Sequence, residues 1–188
     1  SDPIIAASQR STVQSRISLP GEGRAYPRAM MAHMTTKADF SPDEWDCLHQ
    51  LPWIAGVIIV LADPSLRQAS EFKAMTKAIS EPGRYGAADG LIESLVTEMK
   101  DSPEHDDFEF DRNDDDDDDL IHQIARAARM IDIRCDRGEA RGLKQWVLDV
   151  AVSTAEAHKE GGFLGIGATS VSDPEVAALA RIRSMLRL

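Results

Sequence analysis

Sulfur chemistry has little to work with in this chain. Among 188 residues there are two cysteines, Cys47 and Cys135. They lie far apart, outside any Cys-x-x-Cys pair or Cys/His cluster of zinc spacing, so they read as small buried hydrophobes. Aromatic residues are equally scarce, at 5 %, and are not interleaved with basic ones, which disfavours direct nucleic-acid binding. Long apolar runs are missing too. The longest uncharged one, residues 53–62, is about half of what a bilayer crossing needs and reads as a buried core helix, so no membrane insertion is expected. No continuous apolar leader precedes a small-residue cleavage site, so secretion is not indicated and a cytoplasmic protein is the expectation.

Signatures of catalysis are absent as well. Gly-x-Ser-x-Gly, His-Glu-x-x-His and a Glu-x-x-His di-iron pair do not occur. The glycine-rich stretch 161–170 follows a helix instead of a strand and has no Gly-Lys-Ser/Thr, so it is no phosphate loop. Its Phe163, Leu164 and Ile166 read either as a connector tucked onto the core or as an apolar hook for a partner or a second subunit, which makes a homo-oligomer reasonable.

What the chain does have is acid, and nearly all of its imbalance sits in one place. Residues 101–119 carry twelve Asp/Glu against one base, Arg112, which accounts for the whole formal charge of −11. The stretch ends in six aspartates, Asp114 to Asp119, directly before Leu120. Divalent cations and basic protein surfaces are its natural partners, and the like-charged nucleic-acid backbone is not.

Helical periodicity dominates the rest. Residues 1–37, with three prolines and five bases against two acids, read as a flexible, mildly basic arm, and residues 38–188 as one helical domain. Ser41-Pro42-Asp43-Glu44 is a capping-box start. The helix behind it carries Trp45, Leu48 and Leu51 and is expected to bend or stop before Pro52, with a second helix from Trp53 to Ala62. Further helices are expected over about 66–80, 87–100, 120–135 and 139–160. A last one opens at Ser172-Asp173-Pro174-Glu175. Strand alternation is lacking apart from short, ambiguous runs. The fold class is all-α: a bundle of about seven helices built from helix hairpins, with an acidic inter-helix segment at 101–119.

Two segments share a design in which an apolar helix end meets a charged turn and the next helix opens with Glu. The first joins Asp63-Pro64 to Glu71. The second joins Asp132, through Asp136, to Glu139. This resembles the helix pairs of the TerB-like, tellurite-resistance-associated domains over about residues 53–80 and 124–155, with Pro64 standing where that family's turn has glycine. The resemblance implies an all-helical bundle linked to stress responses, with divalent metal binding through Asp63, Glu71, Asp132, Asp136 and Glu139.

From the residues themselves, Asp115, Asp118, Asp119 and His122 are the candidate ligands of the acidic run. His122 follows Asp118 by four positions and Asp119 by three, so the three share a helical face. Carboxylates alone suit calcium or magnesium, and a site that includes His122 suits manganese or zinc. The plainer alternative is a solvated acidic flank that complements the dipole of the following helix. The functional expectation is a small interaction or stress-response protein whose acidic segment binds a divalent cation or a basic partner. The alternative is a metal-dependent enzyme using Asp118, Asp119 and His122.

Overall fold

The computed structural model describes residues 34–63, 68–101, 116–157 and 171–188, the side chains of Gln68, Asp116 and Asp117 excepted. Six α-helices lie among the described residues: α1 Pro42–Ala62, α2 Gln68–Ser80, α3 Asp89–Asp101, α4 Asp116–Arg134, α5 Arg137–Ala155 and α6 Asp173–Leu186. Single 3-10 turns precede α1 at Lys37–Asp39 and α3 at Gly86–Ala88. No strand occurs among the described residues, and the all-α bundle stands.

The helix starts follow their sequence signals. Ser41 Oγ accepts from Glu44 N–H at 3.2 Å, and Ser41 N–H donates back to Glu44 Oε2 at 2.8 Å. Ser172 and Glu175 repeat the exchange at α6. A third box opens α5, where Asp136 Oδ1 accepts from the N–H groups of Gly138 and Glu139. These exchanges satisfy backbone donors that a helix start leaves without partners.

Three expectations need correction. Pro52 neither stops nor divides the first helix: α1 is continuous through it. Proline leaves the Leu48 carbonyl without its usual N–H partner, at a cost of about 3 kcal/mol. That cost is offset because Leu48 and Leu51 before it, and Ile54, Val57 and Ile58 after it, all enter the same core. Two of the expected helices are therefore one. Next, α4 begins four residues before Leu120, so Asp116–Asp119 form its first turn and are not inter-helix chain. A carboxylate in a helix's first turn is stabilised by the positive end of the dipole.

The third correction concerns the arm boundary at 37, because the chain is already pinned by Thr35. Thr35 is 6 % exposed and bonded to α5, Lys37 pairs with Glu98 at 2.7 Å, and buried Phe40 packs its ring on Trp45. The stretch 161–170, Asp115 and most of the acidic segment lie outside the described residues.

Helix α1 is the hub, touching all five others, and its most extensive contact is with α5. On length and composition α1 could cross a bilayer, but 61 % of its apolar window is buried inside the bundle. Helix α5 in turn packs on α2, α4 and α6. The end of α4, the start of α5 and the end of α6 meet at one edge of the bundle, where the candidate site lies.

Candidate functional site

Charge at that edge has the opposite sign to the chain as a whole. A cleft of about 470 Å³ is lined by Asp132 and Cys135 from α4 and its turn, Arg137, Arg141, Lys144 and Gln145 from α5, and Arg183 and Arg187 from the end of α6. Helical spacing brings the cations together: Arg137, Arg141 and Lys144 follow one another by four and three positions, and Arg183 and Arg187 by four. Five cations thus share one cleft with the single acidic side chain of Asp132.

Asp132 holds the cleft together. Its Oδ1 accepts from Lys144 Nζ, and its Oδ2 lies 3.6 Å from an Arg187 guanidinium nitrogen. One carboxylate therefore ties α4 to α5 and to the chain just after α6. Lys144 is 4 % exposed, and an ammonium so buried requires a charged partner. Arg137, Arg141 and Arg183 are solvent-exposed and form no ion pair among the described residues. Their guanidinium groups face solvent beside a pair already neutralised internally.

Cys135, at the rim, is not a nucleophile. Burial, reinforced by the carboxylates of Glu139, Asp136 and Asp132, pushes its thiol up to about 11 against the pull of a hydrogen bond with Thr35. It stays protonated at neutral pH, whereas nucleophilic attack needs the thiolate. Burial also raises the Cys47 thiol, with Arg126 opposing.

Asp136 and Glu139 are brought together, but as a helix cap. Glu139 is 2 % exposed, and its carboxylate accepts from Thr35 N–H at 2.8 Å, Thr35 Oγ1 at 2.5 Å and Asp136 N–H at 3.2 Å. Asp132 lies in the cleft. Asp63 caps the end of α1, and Glu71 is buried on α2 at 1 % exposure. At the start of α4, Asp118 accepts from Arg181 at 2.8 Å, Asp119 accepts weakly from Gln123, and His122 is exposed. Among the described residues no three His, Cys, Asp or Glu side chains gather as a metal site.

Sequence reasoning missed the cleft. Its signal was present in the spacing Arg137-x3-Arg141-x2-Lys144 and in Arg183-x3-Arg187. What hid it was the even balance of acids and bases outside residues 101–119, which gives no hint that bases from two helices collect at one edge. No protein-family model, curated protein or solved structure matches the chain.

Proposed function

We propose that this chain is a helical interaction protein that captures a multiply charged acidic partner segment in the basic cleft, while its own acidic stretch offers the complementary pole to basic partners or divalent cations. The observation that carries this reading is the set of three exposed arginines, Arg137, Arg141 and Arg183, without ion pairs among the described residues, around a cleft whose one acidic side chain is already engaged.

Magnitudes narrow the ligand. An exposed ion pair contributes about 0.2–1 kcal/mol, so one carboxylate or phosphate meeting one arginine gives negligible affinity. Micromolar binding corresponds to about 8 kcal/mol. The ligand is therefore a segment that presents several anionic groups at once, with backbone hydrogen bonds adding to the charge pairs. A guanidinium fork suits such groups because it engages a carboxylate through two parallel N–H bonds.

The test is fluorescence anisotropy of a labelled hexa-aspartate peptide titrated with the full chain. Binding is expected to weaken as salt rises and to fall by about tenfold in the Arg141→Glu/Arg183→Glu variant, in line with two lost attractions replaced by repulsions. No binding by the wild-type chain at low salt, or equal binding by the variant, overturns the reading.

A further inference from the structure

The two poles of charge lie at opposite ends of one helix. The aspartates 116–119 form the first turn of α4, and Asp132, which anchors the basic cleft, stands in its last turn. Sixteen residues at about 1.5 Å rise each place Asp116 and Asp132 about 24 Å apart along a rigid axis. The acidic start of α4 therefore cannot fold onto the cleft of its own molecule. At that end Arg181 holds Asp118, while Asp119 is exposed with only a long Gln123 contact.

We infer that the occupant of the cleft is the acidic start of α4 from a second copy of this chain, so that two molecules pair reciprocally, α4 antiparallel to α4. The inference rests on the reading of the cleft as an anion-binding site and names its partner. Charge complementarity carries it: the cleft has three cations without ion pairs among the described residues, and α4 opens with four aspartates that continue the run from Asp114.

Reciprocity follows from having both poles on one rod. When the start of one α4 lies at the end of another, the reverse contact forms at the same moment, which gives a closed two-fold pair with two equivalent contacts. The helix dipoles are then antiparallel as well. Between the poles the solvent-facing side chains of α4 are His122, Arg126 and Arg129, at helical spacing, with Ile133 just past Asp132. Ile133 is 79 % exposed beside the cleft residue Asp132 and supplies an apolar contact at the seam.

Sedimentation velocity of the full chain over a concentration series at low salt tests this. The wild-type chain is expected to form a dimer that dissociates at high salt or on addition of excess hexa-aspartate. Two variants are expected to be monomeric with unchanged far-UV circular dichroism: Arg141→Glu/Arg183→Glu in the cleft, and Asp114, Asp115, Asp116, Asp117 and Asp119 all replaced by Asn. Mixing them leaves one good cleft and one good acidic start, and association is expected to return, weaker than in the wild type because one contact remains of two. If the acid-neutralised variant loses helix content, dissociation by hexa-aspartate and the cleft variant still decide the matter. A wild-type chain that stays monomeric while binding hexa-aspartate overturns this inference and leaves the anion-binding reading intact; a chain that neither associates nor binds the peptide overturns both. A dimer indifferent to the cleft variant, or a mixture of the two folded variants that fails to associate, also overturns the inference.

Discussion

Glu139 is the side chain on which the entry of the chain into the bundle depends. A carboxylate at 2 % exposure would be costly in isolation, but three donors converge on it, two of them from Thr35. Glu139→Ala leaves the Thr35 donors and the Asp136 N–H without an acceptor, and a loss of about 2–4 kcal/mol is expected in urea unfolding. Hydrogen exchange at the Thr35 amide should accelerate in the same variant. Exchange that stays slow would show residues 34–39 to be held by Phe40 and Lys37 alone. Glu139 was legible as an acid at a helix start but not as a clasp, since its partner lies 104 positions away.

Two pH effects belong at this scale. Glu44 is held below its usual range by the Ser41 backbone N–H, with Arg134 adding to it, and Glu98 by the Lys37 ammonium. A carboxyl with a lowered folded value contributes stability that is complete above its unfolded value near 4.5 and is lost as pH falls through the lower folded one. The urea midpoint should therefore fall below pH 4.5, and less steeply in Glu44→Gln/Glu98→Gln. At the other extreme, burial lifts the Tyr85 hydroxyl to about 12, with Asp149 as the second cause. The stability linked to Tyr85 is complete below its unfolded value of 10 and is lost as pH climbs from there through about 12. Ultraviolet titration of a Tyr26→Phe chain should give a single late transition near 12, and one near 10 would contradict the burial of Tyr85.

Among the elements, α5 meets the turn before α3 more closely than any side chain permits. A Cβ on Gly142 would lie 2.4 Å from the Tyr85 carbonyl oxygen and 2.7 Å from the Ala88 Cβ. Neither atom is the end of a flexible chain. Gly142→Ala is therefore expected to destabilise by about 1–3 kcal/mol despite the better helix propensity of alanine. Gly56→Ala on α1 meets the Met75 thioether instead, which can change rotamer, and should cost less in urea denaturation. The reverse order would mean that the turn at Tyr85 yields and the α1–α2 contact does not.

Helix boundaries were legible where local chemistry sets them. Ser41 and Ser172 announce α1 and α6 because a capping box acts within four residues. Pro52 misled because its local cost is real, and only the burial of residues on both sides of it, spread over the bundle, offsets that cost. The early start of α4 was hidden for the opposite reason: aspartate is a poor helix former in an interior but a favourable one in a first turn.

Taken as a molecule, the protein builds its basic cleft where two distant segments meet, the turn from α4 into α5 and the end of α6. Arg137 and Arg187 are fifty positions apart in the chain, and no local pattern tells that their helices share an edge. Composition could show the acidic pole, which is contiguous, and could not show the basic one, which is assembled by folding. Salt should accordingly act on association much more than on folding. The thermal midpoint is expected to move little between low and high salt, because the core is apolar and exposed pairs contribute little, while anisotropy and sedimentation signals collapse over the same range. A midpoint that tracks salt as steeply as binding does would place the charge contacts in the fold itself.

The separation of about 24 Å along α4 exceeds the Debye length, which is about 8 Å at physiological ionic strength. Each pole is thus screened from the other within its own molecule and responds only to what touches it. In colloid terms the protein is a patchy dipolar particle, and its net charge of −11 is a poor guide to how copies interact. A uniformly charged sphere of that net charge repels its neighbours at low salt and gives a positive second virial coefficient. Here the coefficient should turn negative as salt is lowered within the range where the Debye length stays below that separation, the attraction of facing patches outrunning the repulsion of the whole.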